Sequence, residues 1–242
     1  MKIKLALWIR LACGLWLLGY LAAASALAQN ADEIVQKMRD AYGVLNSYSD
    51  SAVIVREYGA TDRHTFDTFF SRSPRHFLLD FHKQGGDRYV VWGDPDAFHT
   101  WWKTTMQTTD YPNPNNTAAI TLSGPPTQDA IAKIPTLLYS KANLGGDFAN
   151  FADSKLDGNE DIGGHACYRI AGKASDMYSA TGKEVNIRKV VLWIDKQSFL
   201  LRQVREEWPP LGGTSTRVTT TYEPQANPPI EPAKFKFAPE TK

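Results

Sequence analysis

Thiolate–imidazole or transition-metal chemistry in this chain would have to draw on five histidines and two cysteines. The histidines (His64, His76, His82, His99 and His165) are scattered, and none pairs with another at helical metal-ligand spacing. His76 and His82 would share a strand face, but at roughly 3.3 Å per residue they lie about 20 Å apart, too far for one ion. His165 and Cys167 stand two residues apart, which on a strand points both to one face, as a thiolate–imidazole pair requires. No third residue is placed to orient the imidazole, and a lone strand cysteine beside Tyr168 and Ile170 reads as core. Asp157-Gly158-Asn159-Glu160-Asp161 begins like a calcium loop. It then has Ile162 where glycine should follow and Tyr168 where a bidentate glutamate should close it, so it reads as a solvated turn. Glu206 and Glu207 are adjacent on a predicted strand and face opposite ways, which excludes a carboxylate dyad. The Asn115-Asn116-Thr117 sequon is the remaining short motif. There is no nucleophile elbow, phosphate loop or dinucleotide fingerprint. The sequence therefore predicts no catalytic residue, no metal site and no cofactor.

The large apolar residues are more informative. Phe66, Phe70, Phe77, Phe81, Trp92, Trp102 and Trp193 fall on alternating strand positions, with Leu79 between Phe77 and Phe81. Rings in such a register either fill a core or wall a cavity, and periodicity alone leaves both open.

The elements that must carry these residues follow from period and punctuation. Asn30 with Glu33 forms a capping box, after which Ile34, Val35, Met38, Ala41, Tyr42 and Leu45 make one helical stripe. From Tyr48 the period changes to two, predicting an antiparallel meander to about Thr105, with Gly93-Asp94-Pro95-Asp96 as a turn. Asp110 to Pro126 reads as a polar loop. Thr127 to Ala142 reads as a helix with Ala130, Ile131, Ile134, Leu137 and Leu138 on one face and Pro135 kinking its middle. Strands resume over Lys155–Gly172, Glu184–Asp195, Ser198–Trp208 and Thr214–Glu223, with a tight hairpin at Asp195-Lys196-Gln197. Phe235 and Phe237 fall on one side of a final short strand.

Bulk properties narrow the class. The chain has 242 residues, 27 Lys+Arg against 26 Asp+Glu, and 43% hydrophobic residues. A net charge of +1 without a basic run argues against nucleic-acid binding. A mean hydropathy of −0.36 excludes a polytopic membrane protein, and the apolar share excludes a disordered one. Lys2, Lys4 and Arg10 precede a short apolar stretch, Leu11 to Ala22, and Ala26-Leu27-Ala28 offers a cleavage pattern. Residues 1–28 thus read as a cleaved signal peptide for export to the periplasm, leaving 29–242 as a single, slightly acidic domain. Removing the leader also removes Cys13, so Cys167 has no intrachain disulfide partner.

Several runs resemble the LolA-like family of periplasmic lipoprotein carriers and the related outer-membrane lipoprotein-sorting-like proteins. They are Ala233-Lys234-Phe235-Lys236-Phe237-Ala238-Pro239, Ser71-Arg72-Ser73-Pro74-Arg75-His76-Phe77, Val190 to Arg202, and Gly164-His165-Ala166-Cys167-Tyr168. The resemblance implies a mainly β (α+β) fold: one strongly curved antiparallel sheet forming a half-open barrel, with helices as a lid over an acyl-chain cavity. It also implies that Phe77 is a wall or gate residue. In the carriers an arginine directly before the proline bonds to the lid. Here Ser73 holds that position, Arg72 stands one place earlier on the opposite strand face, and Arg75 is the other candidate.

The expected function is a monomeric periplasmic carrier holding lipid or lipoprotein acyl chains without catalysis, exchanging cargo with membrane-associated donor and acceptor proteins. Phe66, Phe70, Phe77, Leu79, Phe81, Trp92, Trp102 and Trp193 are its cavity candidates, and Ile131, Ile134, Pro135 and Leu138 its lid candidates. Two alternatives belong to other classes. One is a sensory module binding a partner protein, whose mark would be a second C-terminal domain. The other is a hydrolase with a site assembled from distant residues.

Overall fold

The computed structural model describes residues 31–112, 133–139, 151–178, 183–211 and 214–240. The signal peptide, the Asn30 cap, the sequon, Ile131 and most of the 110–126 loop lie outside those residues.

Among the described residues twelve strands form one antiparallel sheet. They are β1 (Ser47–Tyr58), β2 (Ala60–Arg72), β3 (Arg75–His82), β4 (Arg88–Gly93), β5 (Phe98–Trp102), β6 (Gln107–Tyr111), β7 (Ala152–Ile162), β8 (His165–Tyr178), β9 (Lys183–Asp195), β10 (Leu201–Leu211), β11 (Thr214–Tyr222) and β12 (Gln225–Ala226). The order is β6-β5-β4-β3-β2-β1-β11-β10-β9-β8-β7, with β12 added beside part of β1. Each half is a meander of hairpins, and the β1–β11 pairing, from Ala52↔Tyr222 to Glu57↔Arg217, joins the halves. The outermost strands β6 and β7 do not pair with each other, so the sheet is open. Helix α1 (residues 31–43) and the short α2 (Lys133–Leu138) pack on one face.

The turns follow from side-chain chemistry. Asp94 accepts the amides of Asp96 and Ala97 between β4 and β5, the expected Asx geometry. Asp195 does the same for Gln197 and Ser198. Gly163 and Gly164, both at positive φ, make the two-residue turn between β7 and β8. Gly93 is required for a different reason: an added Cβ would meet the Phe98 ring at 2.4 Å.

One buried cluster runs from Phe98 on β5 through β3, β2, β1, β11, β10 and β9 to Ile170 on β8, and includes the apolar stripes of α1 and α2. A single cluster can reach such distant strands only if the sheet curls around the helices. A second, smaller cluster lies on the opposite, convex face: Leu78, Val90 and Trp101, with Phe69, Trp92, Met106, Phe235 and Phe237 packed against it. This revises the expectation for the tail. Pro232–Phe235 is a 3-10 turn rather than a strand, and Phe235 and Phe237 act as plugs, with Phe237 5.0 Å from the Trp92 ring and 5.4 Å from that of Trp101. Asp157–Asp161 also departs from the turn expected there, since it lies within β7 with register shifts around it.

The concave face carries one buried acid near its middle. Asp50 projects between Tyr48 and Ala52, and the Tyr48 hydroxyl donates to it at 2.7 Å. Burial pushes its carboxyl up to about 7, against the opposing pull of the Tyr48 hydroxyl. A carboxyl raised in the folded state holds a proton there that the unfolded chain has released. Its contribution is therefore fully present below about pH 4 and is lost progressively as pH rises from there through about 7. Asp50→Asn should leave stability at pH 3.5 nearly unchanged and raise it at pH 8 by about 2–4 kcal/mol, read by urea unfolding at both pH values. A variant destabilised equally at both would remove Asp50 as the titrating group.

Candidate functional site

The concave wall is built from directly opposed pairs on β2 and β3. Phe66 faces Phe81, Thr68 faces Leu79 and Phe70 faces Phe77. These side chains are all buried, because each strand turns every second residue to the same side. Trp102 joins from β5, with its indole N–H donated to Asp87 at 2.7 Å. The structure thus brings together six of the eight residues marked in the sequence. The other two stand on the convex side. Trp92 packs under Phe237, and Trp193 donates its N–H to Glu160 between the guanidinium groups of Arg169 and Arg205. The period-two pattern detects an aromatic on a strand but cannot say which face of that strand is concave.

The roof over this wall is made by α1 and α2. All six residues of α2 are buried, with Ile134, Leu137 and Leu138 in the main cluster. Tyr139, just beyond it, places its ring edge-on against Phe70, Phe77 and Phe98 at 5.4, 6.1 and 6.2 Å. Pro135 is the third described residue of α2, and its carbonyl accepts the Tyr139 amide at 3.0 Å. The turn before Lys133, where the expected kink would show, lies outside the described residues.

The roof is fastened by polar contacts at both ends. Arg72 continues the register of Phe66, Thr68 and Phe70 and so points to the concave side, contrary to its expected orientation. It donates to the Leu45 carbonyl at 2.7 Å and to the Leu138 carbonyl at 3.3 Å, while its guanidinium lies over the Phe70 ring. Arg75 instead reaches the Pro95 carbonyl. At the other end, Lys133 of α2 meets Glu206 of β10 at 2.7 Å, and Glu206 also holds Arg188 of β9 at 2.8 Å. All three side chains are 1% exposed. The Arg188 guanidinium sits 4.5 Å from the Trp208 ring.

This triad escaped the sequence reading, although a signal was present. Glu206 alternates with Val204 and Trp208, and Arg188 with Val190 and Leu192, so each charge stands in an otherwise apolar register. Such a charge must be paired once buried.

The catalytic candidates resolve differently. Burial pushes the Cys167 thiol up to about 11, reinforced by the nearby Asp195 carboxylate. Its sulfur donates to the His165 carbonyl, and the His165 ring lies against Asp195 at 3.2 Å rather than against the sulfur. A buried, protonated thiol without a base is not a nucleophile. Among the described residues no group of three or more His, Cys, Asp or Glu is placed to hold a metal ion.

Removing the carboxylate takes an ion-pair partner from both Lys133 and Arg188, whereas removing Lys133 leaves the Glu206–Arg188 pair intact. Glu206→Gln is therefore expected to cost about 3–5 kcal/mol in urea unfolding, and Lys133→Met clearly less. Equal losses for the two variants would show that Glu206 is not the hub.

No family model and no curated protein matches the chain. Among solved structures, the chain is similar to the Mycobacterium tuberculosis lipoprotein LppX, at 13% identity and a TM-score of 0.47, over 83% of this chain and 98% of that one. It is similar to a LolA superfamily protein from Nitrosomonas europaea, at 12% identity and a TM-score of 0.39, over 86% and 97% of the two chains. The Pseudomonas aeruginosa MucA/MucB complex gives 14% identity and a TM-score of 0.47, covering 86% of this chain and 61% of that one. With every one of these TM-scores below 0.5, function is read from this chain's own geometry.

Proposed function

We propose that this protein is a periplasmic carrier that takes up the acyl chains of a lipid or lipoprotein between its helical roof and its curved sheet, and that it is not an enzyme. The observation that carries this reading is the roofed aromatic wall: Phe66, Phe70, Phe77, Leu79, Phe81 and Trp102 under Ile134, Leu138 and Tyr139. A wall of this kind binds without directional bonds, because each buried methylene contributes roughly 0.8 kcal/mol. Chains of the right length therefore replace the contacts that α2 makes when closed. The roof is shut in this structure, so uptake requires α2 to lift, which releases the Arg72–Leu138 and Lys133–Glu206 contacts. The basic, apolar and small-residue leader supports export, and the proposed cargo would come from and go to membrane-associated proteins.

Native mass spectrometry of the protein purified from its envelope, followed by lipid extraction, should reveal a co-purifying acylated species. The delipidated protein should take up a pyrene-labelled fatty acid, and Arg72→Met should speed that uptake several-fold by loosening one end of the roof. A ligand-free protein that takes up no labelled lipid, with or without Arg72, would overturn the carrier reading.

A further inference from the structure

The buried charges under the roof are more than a fastening. Arg188 and Glu206 project from β9 and β10 at one end of the concave face, in register with Val190 and Leu192 on one strand and Val204 on the other. The next inward-facing residue on β10 is Trp208, over whose ring Arg188 stands. The Trp208 indole N–H is buried with no acceptor among the described residues. A buried N–H without an acceptor is costly, and the lining of a purely apolar cavity has no use for one.

We infer that Arg188, Lys133 and the Trp208 indole N–H form a headgroup site for an anionic lipid, a carboxylate or phosphate whose acyl chains lie along the aromatic wall. This rests on the carrier reading and names its ligand class. The chemistry is that of a planar guanidinium fork and an ammonium, which match the oxygens of either group, with the indole as a further donor. Glu206 occupies the acceptor position in the closed state, held between Lys133 and Arg188 at 2.7 and 2.8 Å. When α2 lifts to admit cargo, Lys133 leaves Glu206; once α2 settles back over the loaded chains, an oxyanion seated beside Glu206 can accept from Lys133, Arg188 and the indole together. From that end Val204, Val190, Leu192, Ile54 and Phe66 continue as an apolar track for the chains. Neutral lipids gain the track and not the headgroup contacts.

The test compares pairs of probes differing only in charge, at pH 8 and below their aggregation concentrations. Pyrene-dodecanoic acid is set against its methyl ester, and pyrene-labelled phosphatidic acid against the matching diacylglycerol. The acidic member of at least one pair should bind ten-fold or more tightly, and the pair that discriminates identifies carboxylate or phosphate as the headgroup. Arg188→Gln should abolish the preference while retaining ester binding. Trp208→Phe keeps an aromatic ring, removes the N–H with the pyrrole half of the indole, and should reduce the preference several-fold while ester binding is retained. It carries the test if Arg188→Gln does not fold. Equal affinity for charged and neutral members of both pairs would overturn the headgroup site and leave the carrier reading standing. Failure to bind any of the four probes would overturn both.

Discussion

A sheet curved around its own concave face presents a physical demand that the rest of this molecule answers. The inner positions of β1–β5 and β8–β11 are mostly apolar and face one another across the curve, and water must be kept from them. A closed barrel would meet the demand by pairing its edges, but β6 and β7 remain apart, so helices must do it instead. α1 supplies a stripe of Ile34, Val35, Met38 and Tyr42, and α2 supplies Ile134, Leu137 and Leu138. The convex face has a lesser version of the same need, met by Phe235 and Phe237 from the tail.

The described part of α2 is six residues long, and all six are buried. Tertiary contacts hold it in place. Most are apolar. The polar ones, Arg72 with the Leu138 carbonyl and Lys133 with Glu206, give it one position. A buried ion pair adds little net stability over an apolar substitute but discriminates strongly between docked and undocked states.

Much of the fold was legible in the chain. The switch from helical to alternating period after Leu45, the Asp94 and Asp195 turns and the paired rings of β2 and β3 are local signals with local causes. The direct opposition of Phe66 with Phe81 and of Phe70 with Phe77 follows from alternation plus a short turn at Ser73-Pro74. Less legible were features that depend on which side of the sheet is concave. Trp92 and Trp193 obey the same alternation as Phe77, yet they pack on the outside. Arg72 was placed on the wrong side because its face was reckoned from the proline rather than from the Phe66–Phe70 register.

The sequence by itself determined an antiparallel β protein with amphipathic helices and large aromatic rings on alternating strand positions. Only the tertiary structure decided which rings share a wall, that the described roof is closed, and that Lys133, Arg188 and Glu206 meet. The reason is range. Period and turn chemistry act over a few residues, whereas Lys133 and Glu206 are separated by 73 positions and meet only because β10 and α2 cover the same concave face. A charge in an apolar register announces that it needs a partner. The curl of the sheet decides which partner it finds.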